Sequence, residues 1–440
     1  MTDDRLLAHG LGGPADLPIP VELAIAGAVA ALVVSFTVLA LAWRTPRYDA
    51  TSGRPAPGWL ARLVEHPAYG ITLRVIGMLL LGWFALAAVF GRDLLTNPAF
   101  GMFYVWWWVG LVPLSVLFGP VWKAISPVRT INTVFARVSG SDPDRGLYRY
   151  PERLGHWPAA LGLFAFVWVE LVYPFSNELG PVRLWCAAYL AVMLVGGALF
   201  GTSFYEKADP FEVYSSLCAK LSVWGHRDGA LVIRSPLANL DTVVPLPGLV
   251  AVVGVLLGST AFDSFRSSLA WIQFTQESAV STFVLDNLAL LGFCVGVGLI
   301  LAVGSAATGV QDGTRRRELP ALFAHSVVPI IVGYIVAHYV NYLVEVGWDT
   351  LVLASDPLST GANWWGTGDL DRMTWLSYHP SLLASIKVLA VVLGHVVAVV
   401  AAHDRAIRVL PQRHQVTGQL PMLAAMIAFT VGGLYLLFAA

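Results

Sequence analysis

Charged residues are scarce in this sequence. They make up 12% of its 440 residues, whereas hydrophobic residues make up 57%. Soluble globular chains are about one quarter charged and about half apolar. This small polar surface cannot cover a water-soluble protein of this size. We therefore expect lipid to replace water over much of the protein surface. The net charge of −1 also argues against a strongly basic nucleic-acid-binding protein.

Cysteine and lysine are scarce as well. The three cysteines, Cys186, Cys218 and Cys294, form no CxxC pair, which argues against a thiolate zinc site and a disulfide framework. We expect them to be small apolar packing residues. Only 4 of the 27 basic residues are Lys, and Ala, Val and Gly are abundant, a composition that favours a GC-rich bacterial gene.

Long apolar stretches recur along the chain. A membrane-spanning helix needs about 20 mostly apolar residues. On that scale we predict an all-α integral membrane protein, with an outer N-terminal segment over 1–20 and a single polytopic domain over 21–440. The ten predicted spans are Val21–Trp43, Ile71–Phe90, Met102–Gly119, Pro158–Pro174, Leu184–Ser203, Leu246–Phe262, Leu285–Thr308, Pro320–Leu343, Ser381–His403 and Pro421–Ala439.

Basic residues are distributed unevenly between the two sides of the predicted membrane. The connecting segments on one side hold 20 of the 27 Lys and Arg residues, and five segments on the other side hold one Arg each. Cytoplasmic loops carry the excess of Lys and Arg, so we predict that both termini lie outside. The inside segments are 44–70, 120–157, 204–245, 309–319 and 404–420. The plasma membrane of a bacterium is the expected location.

The N-terminal residues do not resemble a cleavable leader. Residues 1–20 lack the basic start and the short apolar core of a signal peptide. We therefore expect the first span to remain as a helix.

One part of the sequence is duplicated. Leu117–Gly119 lies at the end of the third span, and Leu199–Gly201 repeats its three letters at the end of the fifth. Each is followed by a Lys-Ala pair, a Pro and, nine residues after that Pro, an Ala. Both inner segments, near 127–139 and 210–222, show the pattern of an amphipathic helix. This indicates a parallel repeat in the central spans, an arrangement common in transporters.

Polar residues gather in the eighth and ninth spans. Ionisable groups inside a span are costly and usually face a cavity or a partner. Lys387 and His338 lie at similar depth in the outer half, with His379 just outside the ninth span. One helical face of the eighth span and its outer end carries Tyr334, His338, Asn341 and Glu345. Further candidates are His9, Glu170, Asp263, His325, His395 and His403.

Three interpretations of these polar groups stay open. Imidazole and carboxylate are good ligands for zinc or a related divalent metal, which activates a bound water. The same groups suit a proton or solute path. They also suit hydrogen-bonded packing between helices. Haem is not expected: His325 and His338 have the 13-residue spacing of axial histidines, but the ninth span offers no matching pair.

Several stretches of the sequence carry a family resemblance. They are Ala8–Gly10 with Asp16–Pro20, Arg234–Leu240 (RSPLANL), Gly258–Asp263 (GSTAFD), Ala324–Tyr339 (AHSVVPIIVGYIVAHY) and Leu393–Arg405 (LGHVVAVVAAHDR). Together they resemble an actinobacterial family of polytopic membrane proteins commonly labelled fenitrothion hydrolase. The resemblance spans most of the chain. It implies hydrolysis of an organophosphorus ester, such as a phosphorothioate.

The leading expectation is therefore a membrane-embedded hydrolase with an outer-half metal site. Under this hypothesis His338, His379 and His9 are metal ligands, Lys387 stabilises developing anionic charge, and Glu345 and Asp263 complete the site. The alternative is a transporter or permease with a proton or metal-ion path through the eighth and ninth spans. A third hypothesis is a non-catalytic membrane subunit. The expected partners are the lipid bilayer and a small-molecule substrate or solute, with no nucleic acid.

Overall fold

Helices dominate the computed structural model of the protein, which describes residues 14–308, 315–411 and 415–438. Within this part of the chain, ten helices are long and apolar enough to cross a membrane. They are Val21–Ala42, Pro67–Phe90, Pro98–Phe118, Glu152–Leu171, Leu179–Phe200, Leu249–Arg266, Thr282–Ala306, Arg316–Leu353, Pro380–Val409 and Thr417–Phe438. The predicted all-α polytopic membrane protein is confirmed, and each predicted span overlaps one of these helices.

The helices begin and end differently from the predicted spans because caps and polar residues extend them. His66 and Asn97 accept hydrogen bonds from the first turns of the second and third helices, and a Pro follows each of them. Pro is favoured at the first helical position. The ninth helix continues past His403 to Val409, where Arg408 pairs with Asp404 one turn earlier at 2.6 Å. Hydropathy alone predicts neither the caps nor this ion pair.

Shorter elements connect the spanning helices. The helical ones include Gly58–Glu65, Val121–Ile125, Pro127–Val138, Thr202–Ala208, Pro210–Cys218, Pro236–Leu240 and Leu269–Glu277. Three strands, β1 (Arg54–Pro55), β2 (Trp224–Arg227) and β3 (Ala230–Ile233), form an antiparallel sheet in the order β1-β3-β2. Asp228 and Gly229, both with positive φ, form the turn between β2 and β3. An Asp-Gly pair is a strong hairpin signal, and this sheet was not predicted.

The described residues divide into two compact units. The first unit contains described residues of Met1–Ser52, Ser235–Tyr342 and Thr374–Ala440, and the second contains Gly53–Arg234 and Leu343–Met373. Close helix packing in the first unit depends on small residues. A Cβ at Gly258 would lie 2.6 Å from Cys294 Cα, and one at Gly394 would lie 2.6 Å from the carbonyl oxygen of Pro329.

The duplicated segments have the same local structure in the second unit. Gly119 and Gly201 end their helices with φ of 89° and 65°. A residue without Cβ adopts this left-handed backbone at little cost. Ser126 and Asp209 then cap the inner helices, whose first residue is Pro in both copies.

Equivalent positions of the two copies pair with each other. Arg129 and Glu212, each two residues after its Pro, form an ion pair at 2.5 Å. Lys123 and Glu206, each four residues before it, form another at 2.7 Å. The two inner segments therefore contact each other through matching positions of the repeat.

The two inner helices differ in exposure. The helix Pro127–Val138 exposes Phe135 and Val138, as expected of an amphipathic helix at a membrane surface. The helix Pro210–Cys218 is buried along almost its whole length, including Glu212. It belongs to the core of the second unit.

Candidate functional site

The site is built where the sixth and eighth helices meet in the first unit. Asp263 and Ser264 lie in the last turn of the sixth helix, Leu249–Arg266. Tyr334 and His338 lie one turn apart on the eighth helix and face them. The predicted helical face of the eighth span thus contacts the sixth helix through these two residues.

A serine, a histidine and an aspartate form a continuous hydrogen-bonded chain. Ser264 Oγ lies 3.0 Å from His338 Nδ1. His338 Nε2 lies 2.9 Å from Asp263 Oδ2. Both distances are those of good hydrogen bonds.

The direction of these bonds follows from the chemistry of the groups. A carboxylate only accepts, so His338 donates its Nε2 hydrogen to Asp263 and keeps a lone pair on Nδ1. That lone pair can take the hydroxyl proton of Ser264. The same relation of hydroxyl, imidazole and carboxylate activates the nucleophile of Ser-His-Asp hydrolases, in which the two ring nitrogens have the opposite roles.

Two tyrosines extend the chain at both ends. Tyr339 donates to Asp263 Oδ2 at 2.7 Å. Tyr334 donates to Ser264 Oγ at 3.0 Å. The Ser264 hydroxyl also lies 3.2 Å from the carbonyl oxygen of Thr260, so its proton has two acceptors. Donation to His338 is the arrangement that prepares Ser264 for attack.

The hydrogen-bonded chain is largely removed from solvent. Ser264 is 5% exposed, His338 9% and Tyr334 2%. The Asp263 side chain is 18% exposed and is therefore its most accessible charged group. Electrostatic interactions are stronger in such a site than in water.

The described residues do not form the expected metal site. Among residues 14–308, 315–411 and 415–438, no three His, Cys, Asp or Glu side chains could hold a metal ion together. His379 is exposed, stacks on Trp375 and bonds the carbonyl oxygen of that residue at 2.7 Å. His9 lies outside the described residues.

Lys387 and Glu345 belong to different units. Lys387 is buried at 4% exposure in the ninth helix, and the carboxylate of Asp16 acts on it electrostatically. Asp16 belongs to the N-terminal stretch of the family resemblance. Glu345 is buried within the short π-helix Tyr342–Val346 and is part of the second unit.

Two of the other histidines connect elements within the first unit. His325 Nδ1 lies 2.9 Å from the carbonyl oxygen of Leu322, and its Nε2 lies 3.4 Å from the carbonyl oxygen of Ala401 in the ninth helix. His403 bonds the side chain of Gln419 through Nδ1 and the carbonyl oxygen of Trp43 through Nε2, both at 3.0 Å. These contacts fit the expectation of packing between helices.

Three further candidates are Glu170, Asn341 and His395. Glu170 is part of the second unit, near the end of the helix Glu152–Leu171. Asn341 is buried in the eighth helix, one turn beyond His338. His395 is buried in the ninth helix and lines a cavity.

Ser264 and Tyr339 were missed by the sequence analysis. Serine is common in membrane helices, so its type alone carried little information. Its position beside Asp263 on a helix that faces His338 was the available signal. The hydrogen-bond partners of a residue depend on which helices are neighbours, and hydropathy does not predict helix neighbours.

Two pairs of family-resemblance stretches meet within the first unit. Asp263 ends one stretch and contacts His338 and Tyr339 of another. Asp241, directly after the RSPLANL stretch, binds Arg405, the last residue of the LGHVVAVVAAHDR stretch, at 3.0 Å. Residues far apart in sequence thus form two local polar clusters.

Comparisons with known proteins identify no relative: no family model, no curated protein and no solved structure matches the chain.

Proposed function

We propose that this chain is a hydrolase of the bacterial plasma membrane that acts on lipophilic organophosphorus esters, with Ser264 as its nucleophile. The observation that carries the proposal is the chain from Ser264 through His338 to Asp263. The family resemblance supports the substrate class. The burial of these hydrogen-bonded residues within apolar helices favours a substrate that partitions into the membrane.

Ser264, His338 and Asp263 each have a role in this reaction. Ser264 Oγ attacks phosphorus while its proton passes to His338 Nδ1. The aryloxide leaves with that proton and Ser264 stays phosphorylated. Water then attacks the phosphoryl group, its proton passes to His338, and Ser264 leaves as the hydroxyl. Asp263 orients the imidazole and stabilises its positive charge, and Tyr339 orients Asp263.

The purified protein in nanodiscs tests the proposal. Its substrate is a dimethyl 4-nitrophenyl phosphorothioate, and the absorbance of the released nitrophenolate is measured. We expect Ser264→Ala, His338→Gln and Asp263→Asn each to lower kcat by about 10²-fold to 10⁴-fold, because each removes part of the activated nucleophile.

Matched controls separate chemistry from folding. Ser259→Ala makes the same change in the same helix at a buried serine and should leave kcat unchanged. A phosphoryl adduct on Ser264, detected by mass spectrometry, would support the covalent step. Undiminished turnover in Ser264→Ala would exclude it. Loss of turnover on treatment with a chelator would favour the metal-dependent version of the hydrolase instead.

A proton path is the second candidate, because the polar chain continues from Tyr339 through His338 to Tyr334 inside the first unit. Hydrogen-bonded side chains of this kind can relay protons in transporters. Under this hypothesis, reconstituted vesicles take up protons with a solute, and His338→Gln abolishes uptake. Vesicles that hydrolyse the ester but show no proton uptake would exclude it.

A further inference from the structure

A cavity of about 510 Å³ lies among five helices of the first unit. Ligand cavities in proteins have about 300–1,000 Å³. Most of its lining is apolar side chains and glycine, and only Tyr334 and His395 contribute polar side-chain atoms. The Tyr334 hydroxyl already donates to Ser264. His395 is therefore the side chain that offers the cavity a polar group.

Glycines keep this space open. A Cβ at Gly292, Gly296 or Gly432, all of which line the cavity, would meet no atom within 4 Å. Larger side chains at these positions would fill the cavity, and their Cβ atoms would clash with no neighbouring atom.

His395 presents a hydrogen-bond acceptor. It is 1% exposed, and its Nδ1 lies 2.8 Å from the carbonyl oxygen of Val391. A carbonyl oxygen only accepts, so Nδ1 carries the hydrogen. A charged imidazole among apolar side chains would be costly, so the ring is neutral and Nε2 holds a lone pair. Among the residues that the structure describes, this nitrogen has no hydrogen-bond partner.

A buried polar atom without a partner is unusual, because leaving it unsatisfied costs about 1–3 kcal/mol. A ligand that donates one hydrogen bond would remove this cost. Its remaining surface must be apolar to match the lining. A hydroxyl on an apolar body meets both conditions and enters the cavity from a membrane at low cost.

We propose that this cavity binds a lipophilic alcohol or phenol, whose hydroxyl donates to His395 Nε2 while its apolar body fills the space. Tyr334 lines the cavity and also donates to Ser264, whereas the ligand hydroxyl binds His395. The proposal does not depend on the proposed hydrolase. Its test measures binding and not turnover.

The test compares two probes of nearly equal shape, 1-naphthol and 1-methoxynaphthalene, in equilibrium dialysis against protein nanodiscs. Empty nanodiscs correct for partition into lipid. We expect saturable binding of one naphthol per chain and about tenfold weaker binding of the ether, which cannot donate a hydrogen bond. Equal affinities, or no saturable binding above empty nanodiscs, would overturn the proposal.

Variants locate the binding site. His395→Phe should remove the preference for naphthol, whereas His395→Gln, which offers a carbonyl oxygen, should keep part of it. Gly432→Leu should fill the cavity and abolish binding of both probes. Gly27→Leu, at an exposed glycine of the first helix with no atom within 4 Å, is the matched control and should bind like the wild type. Unchanged naphthol binding in Gly432→Leu, or a haem absorption band in the purified protein, would overturn the proposal.

Discussion

Asp209 shows how a single buried carboxyl can couple this protein to pH. It is fully buried at the start of an inner helix and accepts hydrogen bonds from Trp122, Tyr189 and the amide of Phe211, each at 3.0 Å. Burial and then the nearby Glu212 raise the pKa of Asp209 from 3.8 to about 7. Its hydrogen bonds act in the opposite direction but do not outweigh burial.

The raised pKa predicts the pH dependence of stability. Between about pH 4 and about pH 7 the folded protein holds a proton on Asp209 that the unfolded chain releases. The contribution of Asp209 to stability therefore falls as pH rises through this range, by about 4 kcal/mol in all, and does not change further above it. Asp209→Asn should flatten this dependence when thermal unfolding is followed from about pH 5 to about pH 8. Glu206→Gln, at an exposed carboxyl, should leave the slope unchanged, and an equal slope in Asp209→Asn would contradict the prediction.

Individual residues were predictable from the sequence only as far as depth and helical face allow. The spacing of Tyr334 and His338 is that of one helical face, and both residues contact the sixth helix. The sequence groups His379 with His338 because both lie near the outer side. Depth limits where a side chain lies across the membrane and leaves its neighbours undetermined, so the exposed position of His379 and its contact with Trp375 could not be foreseen.

At the scale of elements, the inner repeat contains two ion pairs, each of which joins matching positions of the two copies. One pair is buried and the other is exposed. The Arg129 and Glu212 side chains are 14% and 1% exposed, whereas those of Lys123 and Glu206 are both 48% exposed. Exposed pairs contribute about 0–1 kcal/mol because solvent screens them. Removal of one partner from a buried pair costs about 3–5 kcal/mol because a charge is left uncompensated.

The repeat therefore offers an internal comparison. Arg129→Gln should lower the free energy of unfolding by several kcal/mol, and Lys123→Gln should lower it by less than about 1 kcal/mol. Denaturant unfolding of the two variants in the same detergent measures the difference. The double variant Arg129→Gln with Glu212→Gln should recover part of the loss. Equal effects of the two single substitutions would show that burial does not control the strength of these pairs.

The duplication could be found in the sequence because Gly, Pro and the letters around them recur at nearly constant spacing. Its geometry could not be found in this way. The pairing of Arg129 with Glu212 requires opposite charges at equivalent positions, and a search for similar letters treats such positions as mismatches. Burial of the second inner helix also depends on the helices around it and not on its own pattern.

At the scale of the whole chain, the number of crossings followed from hydropathy because each span must be apolar over the bilayer thickness. The direction of each crossing rests on the distribution of Lys and Arg, which predicts both termini outside. This orientation puts the turn after the sixth helix on the outer side, and with it the site of Asp263 and Ser264. A hydrolase with this orientation would meet substrates that arrive from outside the cell.

Cysteine labelling in intact cells tests the orientation. The native cysteines are first replaced by Ala, and single cysteines are then introduced at Ser141 on the predicted inside and Thr360 on the predicted outside, both exposed. We expect a membrane-impermeant maleimide to label Thr360→Cys in intact cells and Ser141→Cys only after permeabilisation, because the reagent cannot cross the bilayer. A permeant maleimide that labels both variants is the control for reactivity. The reverse pattern would place the candidate site on the cytoplasmic side. Labelling of both variants in intact cells would place both residues outside, so the chain would cross the membrane an even number of times between them, whereas the prediction requires an odd number.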